Sequence, residues 1–225
     1  MTPLEVLLKA KKQTRQPAEV TRLQLLDATE KLMIAEGYAA VTTRRVGAAV
    51  GLTGPLVHYY YPTTEDLLVA ARRRAAARHE NLILSALESE YPLHAIWNLM
   101  IGTQTQGIAL GLEFGALANH RKSIRSEIAK HDILIRQLQA RKLSRMMPST
   151  AGKNIGLTPL GAVMLLEGIA RTFAIDRNFR LSFGHSEARN FIETILDVIE
   201  PIKKKRQRKT TSVRRSISKQ VKSAS

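Results

Sequence analysis

The sequence predicts an all-α protein: a three-helix head followed by a larger helical body. Three observations carry this. Apolar residues recur at helical spacing through most of the chain, and no segment alternates apolar and polar residues as a half-buried strand would. The composition leans on Ala, Leu and Ile, with only 5% aromatic residues. Glycine and proline fall between the periodic segments, at Gly37, Gly51, Pro62, Pro92, Pro148 and Pro201, where helices stop or start. The expected organisation is a basic arm over residues 1–19, a head over 20–79, a helical body over 80–202 and a basic tail over 203–225.

The first helix is expected from Val20 to Glu36, with Leu25, Ala28, Thr29, Leu32 and Met33 as one buried stripe and Gly37 as its cap. Next comes Thr42 to Leu67, TTRRVGAAVGLTGPLVHYYYPTTEDL, which punctuates two short helices in quick succession. Thr42 or Thr43 is a plausible N-cap for the first, and Val46, Ala49 and Val50 share a face. Arg44 and Arg45 stand at its start, the end where the helix dipole disfavours cations, which makes sense where a phosphate is to arrive. Gly51 ends this helix. Thr53 caps the next, Gly54 and Pro55 open it, and Pro62 stops it. Leu56, Tyr59 and Tyr60 lie at helical spacing, so some of them are expected to pack inward, leaving Val57, His58 and one tyrosine outward. Thr63 with Asp66 reads as a capping box for a further helix. Two short helices joined by a tight turn make a helix-turn-helix, the arrangement that lays its second helix in a DNA major groove.

The run GLTGPLVHYYYPTTEDLL resembles the DNA-binding signature of the TetR-type (tetracycline-repressor-like) transcriptional regulators, and the likeness spans about Val20 to Arg74. The resemblance implies a homodimer that binds a palindromic operator as a ligand-responsive repressor. Thr42, Thr43, Arg44 and Arg45 would then sit on phosphates, and Thr53, Gly54, Pro55, Leu56, Val57, His58, Tyr59 and Tyr60 in the groove. Base reading falls to Thr53, Val57, His58 and Tyr59. Where that family usually places a phosphate-binding lysine, this chain has Thr64, so one phosphate charge is missing. The helix after Thr63 is expected to carry Arg72, Arg73, Arg74 and Arg78 on its outer face and to join the head to the body.

The body reads as helices throughout. Leu82, Ile83, Ala86 and Leu87 form an apolar set ending near Pro92. Helices are then expected over Leu93–Leu110, Gly111–Asn119, His120–Met147, Thr158–Ile175 and Ser186–Glu200, with a loop over Pro148–Gly156. The resemblance implies a four-helix dimer interface from the last two helices of each subunit. Its candidates are Gly161, Ala162, Leu165, Gly168, Ile169 and Thr172, with Phe191, Ile195, Leu196, Val198 and Ile199; the same residues would also serve as monomer core. A small, apolar ligand is expected in a pocket between body helices, with Trp97, Met100, Ile101, Gln104, Ile108, Phe114 and Leu117 as candidate walls and simple core packing as the alternative.

Charge narrows the partners. The chain carries a formal +16, and residues 203–225 hold ten Lys or Arg and no acid. A polyanion is implied, and a tail this basic adds salt-sensitive, sequence-independent DNA affinity. That composition also supports a second reading, an architectural protein that coats DNA with little sequence preference. There is no cysteine, which excludes disulfides, thiolate nucleophiles and cysteine metal sites. No Gly-rich phosphate loop, serine nucleophile elbow or paired metal-binding histidines are visible, and no cofactor or enzymatic activity is expected. No run is long and apolar enough to span a membrane, no signal peptide is apparent, and a cytoplasmic protein is expected.

Overall fold

In the computed structural model, residues 18–102, 105–146 and 157–202 are described; residues 105 and 106 are described as backbone only. The expected basic arm up to residue 17, Gln104, the loop at 148–156 and the tail at 203–225 lie outside the described residues. What is described is all-helical: α1 Ala18–Glu36, α2 Thr43–Ala49, α3 Gly54–Tyr60, α4 Thr64–Leu87, α5 Pro92–Ile101, α6 Thr105–Ala118, α7 Lys122–Met146, α8 Pro159–Asn178 and α9 His185–Ile199. A short 3-10 turn, Tyr38–Ala40, joins α1 to α2.

Local chemistry sets most boundaries in the head. Gly37 and Gly51 take φ of 82° and 73°, a left-handed backbone that costs a side-chain-bearing residue more than glycine. Thr42 caps α2 by accepting from the Arg45 amide. Thr63 and Asp66 form the reciprocal capping box at the start of α4. Each such cap satisfies amides that would otherwise lack partners and is worth about 1 kcal/mol. The α1 stripe packs as its spacing requires, with Leu25, Thr29 and Met33 fully buried. Buried Thr29 satisfies its hydroxyl by donating to the Leu25 carbonyl at 2.8 Å.

The body departs from expectation in one place. The span 93–110 does not form one helix: α5 ends at Ile101 with Gly102 as its C-cap, and α6 begins at Thr105. The helix expected to begin at Gly111 is α6, which starts about six residues earlier at Thr105, so the break between the two expected helices was placed too late; the remaining boundaries differ from expectation by at most about three residues.

Head and body share both a helix and a core. The 24-residue α4 runs unbroken across the expected boundary at residue 79. Leu25, Met33, Val46, Val57 and Leu67 belong to the same buried cluster as Leu110, Phe114, Leu117 and Ile124. Polar ties reinforce the join. Glu113 of α6 accepts from the Tyr38 amide at 2.8 Å, and Glu30 of α1 pairs with Arg74 and Arg78 of α4. At the far end, buried Glu200 follows α9 and accepts from the Leu93 and His94 amides, both at 3.0 Å, and meets His94 Nδ1 at 2.9 Å. A carboxylate at the N-terminus of α5 answers the free amides and the positive end of the dipole.

Candidate nucleic-acid interface and body cavity

The head presents α3 beside α2. Their closest approach is at Gly47, where an added Cβ would lie 2.8 Å from both the Leu52 carbonyl oxygen and Val57 Cγ2. Glycine there lets α3 press its first turns onto α2, and Val57 enters the core. Val57 is 0% exposed, so the expected outward valine is corrected: it has no surface to offer a thymine methyl. Leu56 and Tyr59 turn out instead, at 42% and 76% exposure. Tyr60 is half-buried, edge-on to Tyr59 and beside the Arg22 guanidinium.

The remaining groups sort into committed and free. Thr53 takes the N-cap position of α3 without a side-chain cap bond, and its exposed hydroxyl has no partner among the described residues. Gly54 and Pro55 open that helix, so its first turn can approach a surface closely. His58 is exposed, but both ring nitrogens are engaged: Nδ1 lies 2.8 Å from the Pro62 carbonyl and Nε2 3.3 Å from Thr43 Oγ1. A carbonyl only accepts, so Nδ1 carries a proton and donates to Pro62, and Nε2 shares a hydrogen bond with the Thr43 hydroxyl, which can give or take it. His58 thereby ties α3 to α2. Arg45 is bidentate to Glu36, at 2.6 and 2.8 Å. Arg44 is exposed and unpaired among the described residues. Thr42 is occupied as a cap, and Thr64 is half-buried in the first turn of α4.

The body contains a cavity of about 650 Å³ between α4, α5, α6, α7 and α8. Its size follows from missing atoms. Gly107, Gly111 and Gly115 recur every fourth residue on α6, so they share a face. All three line the cavity, and a Cβ on any of them would meet nothing within 4 Å. Of the expected wall residues, Met100, Ile108 and Phe114 line it. Trp97, Ile101 and Leu117 do not: Trp97 and Ile101 pack with Phe173 and Leu196 in the lower core, and Leu117 packs with the head.

Sequence reasoning missed the polar wall. Arg72 was expected on an outer face with Arg73 and Arg78; those two are exposed, but Arg72 lies on a side of α4 packed by its neighbours, which include α5 and α7. Arg72 is 9% exposed and lines the cavity. Beside it His79 Nδ1 meets His131 Nε2 at 3.0 Å. His131 is buried and His79 keeps an exposed edge; desolvation by the protein packed around them holds both below their ordinary pKa, and for His79 the neighbouring His131 adds to this. Fifty-two residues separate the two in sequence, so no local signal pairs them.

The last two helices leave an apolar face in water. Leu165 on α8 and Phe191 and Val198 on α9 are 52%, 62% and 71% exposed, with Gly168 and Thr172 also open. Ile169, Ile195, Ile199 and Gly161 are half-buried. Ala162 and Leu196 belong to the monomer core, in one buried cluster with Leu93, Trp97 and Ile101 of α5, so for these two the core alternative replaces the interface assignment. Exposed Leu160, Met164 and Ile175 extend the face and were not foreseen, as were Phe179, Leu181 and Phe183 between the two helices.

Residues 25–71 match the family described as bacterial regulatory proteins, tetR family. No curated protein sequence matches the chain. Several solved structures share its fold. A transcriptional regulator from Rhodococcus sp. Rha1 is 14% identical, with a TM-score of 0.65 over 79% of this chain and 95% of its own. A putative transcriptional regulator from Saccharomonospora viridis, solved in complex with choline, is 16% identical, with a TM-score of 0.62 over 78% and 96%. The multidrug binding protein EbrR, complexed with imidazole, is 19% identical, with a TM-score of 0.56 over 82% and 97%. Over residues 25–71 the chain therefore matches the tetR-family model, and over most of its length it shares the all-helical fold of these solved regulators.

Proposed function

We propose that this protein is a ligand-responsive repressor that binds a palindromic operator as a homodimer. The observation that carries the reading is the open face of α3. Unpartnered Thr53, small Gly54, and exposed Leu56 and Tyr59 stand clear of the core on a helix braced from behind by Val57 and Gly47. Such a face suits a major groove: Thr53 for a base-edge hydrogen bond, Leu56 for a thymine methyl and Tyr59 for a base edge or phosphate. Arg44 and Thr43 flank it toward the backbone. His58 acts here as the brace between the two helices, in place of the base contact expected for it.

The apolar face of α8 and α9 supports pairing with a second copy. Large side chains half or more exposed along two adjacent helices are costly to leave in water, and a two-fold partner presenting the same face would cover both. The cavity supports ligand response, since its volume lies in the range of about 300–1,000 Å³ common for small-molecule sites. The neighbours solved with choline and with imidazole are precedents of the same fold. A ligand would act by favouring the body arrangement whose paired heads no longer match two half-sites.

The second reading, a charge-driven DNA coater, rests on the ten basic residues of 203–225. One experiment separates the two: selection of genomic fragments at near-physiological salt with the full chain and with a chain ending at residue 202. Enrichment of one inverted repeat by both supports the repressor reading. Enrichment without a shared motif, lost together with the tail, makes the protein a DNA coater.

A further inference from the structure

The body cavity holds a charge that no described residue meets with a hydrogen bond or ion pair. Five charged side chains line it: Arg72, Arg78, Arg171, Asp132 and Glu167. Arg78 is engaged by Glu30 at 2.8 Å, Glu167 by Arg136 at 2.8 Å, and Arg171 is exposed. Arg72 is more than nine-tenths buried and makes no hydrogen bond or ion pair to any described residue. Asp132 and Glu127 reach it only through space, and Glu127 is already bidentate to Arg73, at 2.9 Å on both oxygens. A buried guanidinium stays charged, and burial without a hydrogen-bonded counter-charge is expensive. None of its nitrogens is sealed off in protein without a partner, so its free donors open onto the cavity.

The histidine pair adds a directed donor. In a neutral pair one N–H fills the His79–His131 bridge and the second proton sits on an outer nitrogen, either His79 Nε2 or His131 Nδ1. Whichever tautomer is present, one further N–H remains available beside Arg72. The rest of the lining includes Met100, Ile108, Phe114 and Ile135 and the glycine face of α6. The cavity is thus polar at one wall, where the Arg72 guanidinium and the histidine pair stand with the half-buried Asp132 carboxylate nearby, and largely apolar elsewhere.

We propose that the cavity binds an amphiphilic carboxylate, its head forked by Arg72 and reached by the His79–His131 pair, its apolar body lying against Phe114, Met100 and the glycine face of α6. A carboxylate matches the planar fork of a guanidinium with two parallel hydrogen bonds. An ammonium head would place a second cation against a buried one. This inference deepens the ligand-responsive reading and rests on it for its biological sense, but binding is read without DNA.

The test uses the purified full chain and three probes that differ only in the head group: decanoate, decanol and decyltrimethylammonium, with binding followed by calorimetry. Decanoate is expected to bind about tenfold or more tighter than either other probe. Arg72→Met, which keeps an apolar stem of similar length, is expected to abolish that preference while leaving decanol binding and the helical circular-dichroism spectrum in place. Arg72→Lys, which retains the charge without the fork, is expected to restore part of it. Tighter binding of the ammonium, equal binding of all three, binding of none, or a preference that survives Arg72→Met would each overturn the proposal. A second arm adds decanoate to the protein on its selected DNA. Decanoate that binds without releasing DNA leaves this inference standing and removes ligand response from the proposed function.

Discussion

The head and the body are packed from similar aliphatic side chains, yet glycine serves opposite ends in them. In the head, Gly47 removes a side chain so that another, Val57, can occupy the place, and the two helices close on each other. In the body, Gly107, Gly111 and Gly115 remove side chains and nothing moves in. One region uses the smallest residue to achieve contact and the other to prevent it. A reading head must hold its exposed groups in fixed register, which needs a filled core behind them. A receptor must keep space that its own helices would otherwise fill.

The most forceful way to break this comparison is to add one methyl group to each side. Gly47→Ala puts a Cβ against a backbone carbonyl that cannot rotate away, and is expected to destabilise the protein by about 1–3 kcal/mol. Thermal denaturation measures it; an unchanged midpoint would mean that the α2–α3 contact is looser than described. Next in size, Tyr59→Ala is expected to leave stability within about 0.5 kcal/mol, because the ring is mostly in water, while operator affinity falls about tenfold or more. Titration of labelled operator DNA alongside a melt reads both, and a large loss of stability would show that Tyr59 serves the fold.

Gly111→Ala should act in the other direction from Gly47→Ala. The site has room, and replacing a mid-helix glycine is expected to stabilise by about 0.5–1 kcal/mol. Destabilisation there would show that the space is not open. The smallest effect is the dependence on pH. His79 and His131 are held below their ordinary pKa in the folded chain, so as pH falls the unfolded chain takes up protons first. Their contribution to stability is present above about pH 6.5, the unfolded value, and is lost as pH drops below it toward the folded values. Denaturant melts from pH 7.5 to 5.5 should show this decline, and His79→Gln with His131→Gln should flatten it.

Why the head was legible and the body was not follows from the range of the interactions. Gly37, Gly51, Thr42, Pro62 and the Thr63–Asp66 pair act within a few residues of themselves, so their meaning stands in the local sequence. The orientation of Val57 does not, because it depends on an atom missing ten residues earlier, across a turn. Gly102 was a local sign that 93–110 would divide, but the apolar run on either side outweighed it. Arg72, His79 and His131 form one wall only because α4 and α7 pack side by side, and helical periodicity gives each helix a face without saying which helix it meets. The same limit applied to Ala162 and Leu196, whose small or apolar character suited an interface and a core equally. Arg72 was misplaced because a run of arginines invites the assumption of a solvated side, whereas a helix flanked by two others has little of it.

The unbroken course of α4, together with the cluster that joins Val57 and Leu67 to Phe114 and Ile124, also bears on how the molecule can be taken apart. A fragment cut after residue 79 would end in mid-helix and expose the apolar side of α1 that α6 covers. Such a fragment lacks part of its own interior. Grafting the reading surface onto another receptor therefore calls for a join beyond Leu87 that brings α6 and the start of α7 along with it. Evolution by exchange of whole receptors would face the same requirement.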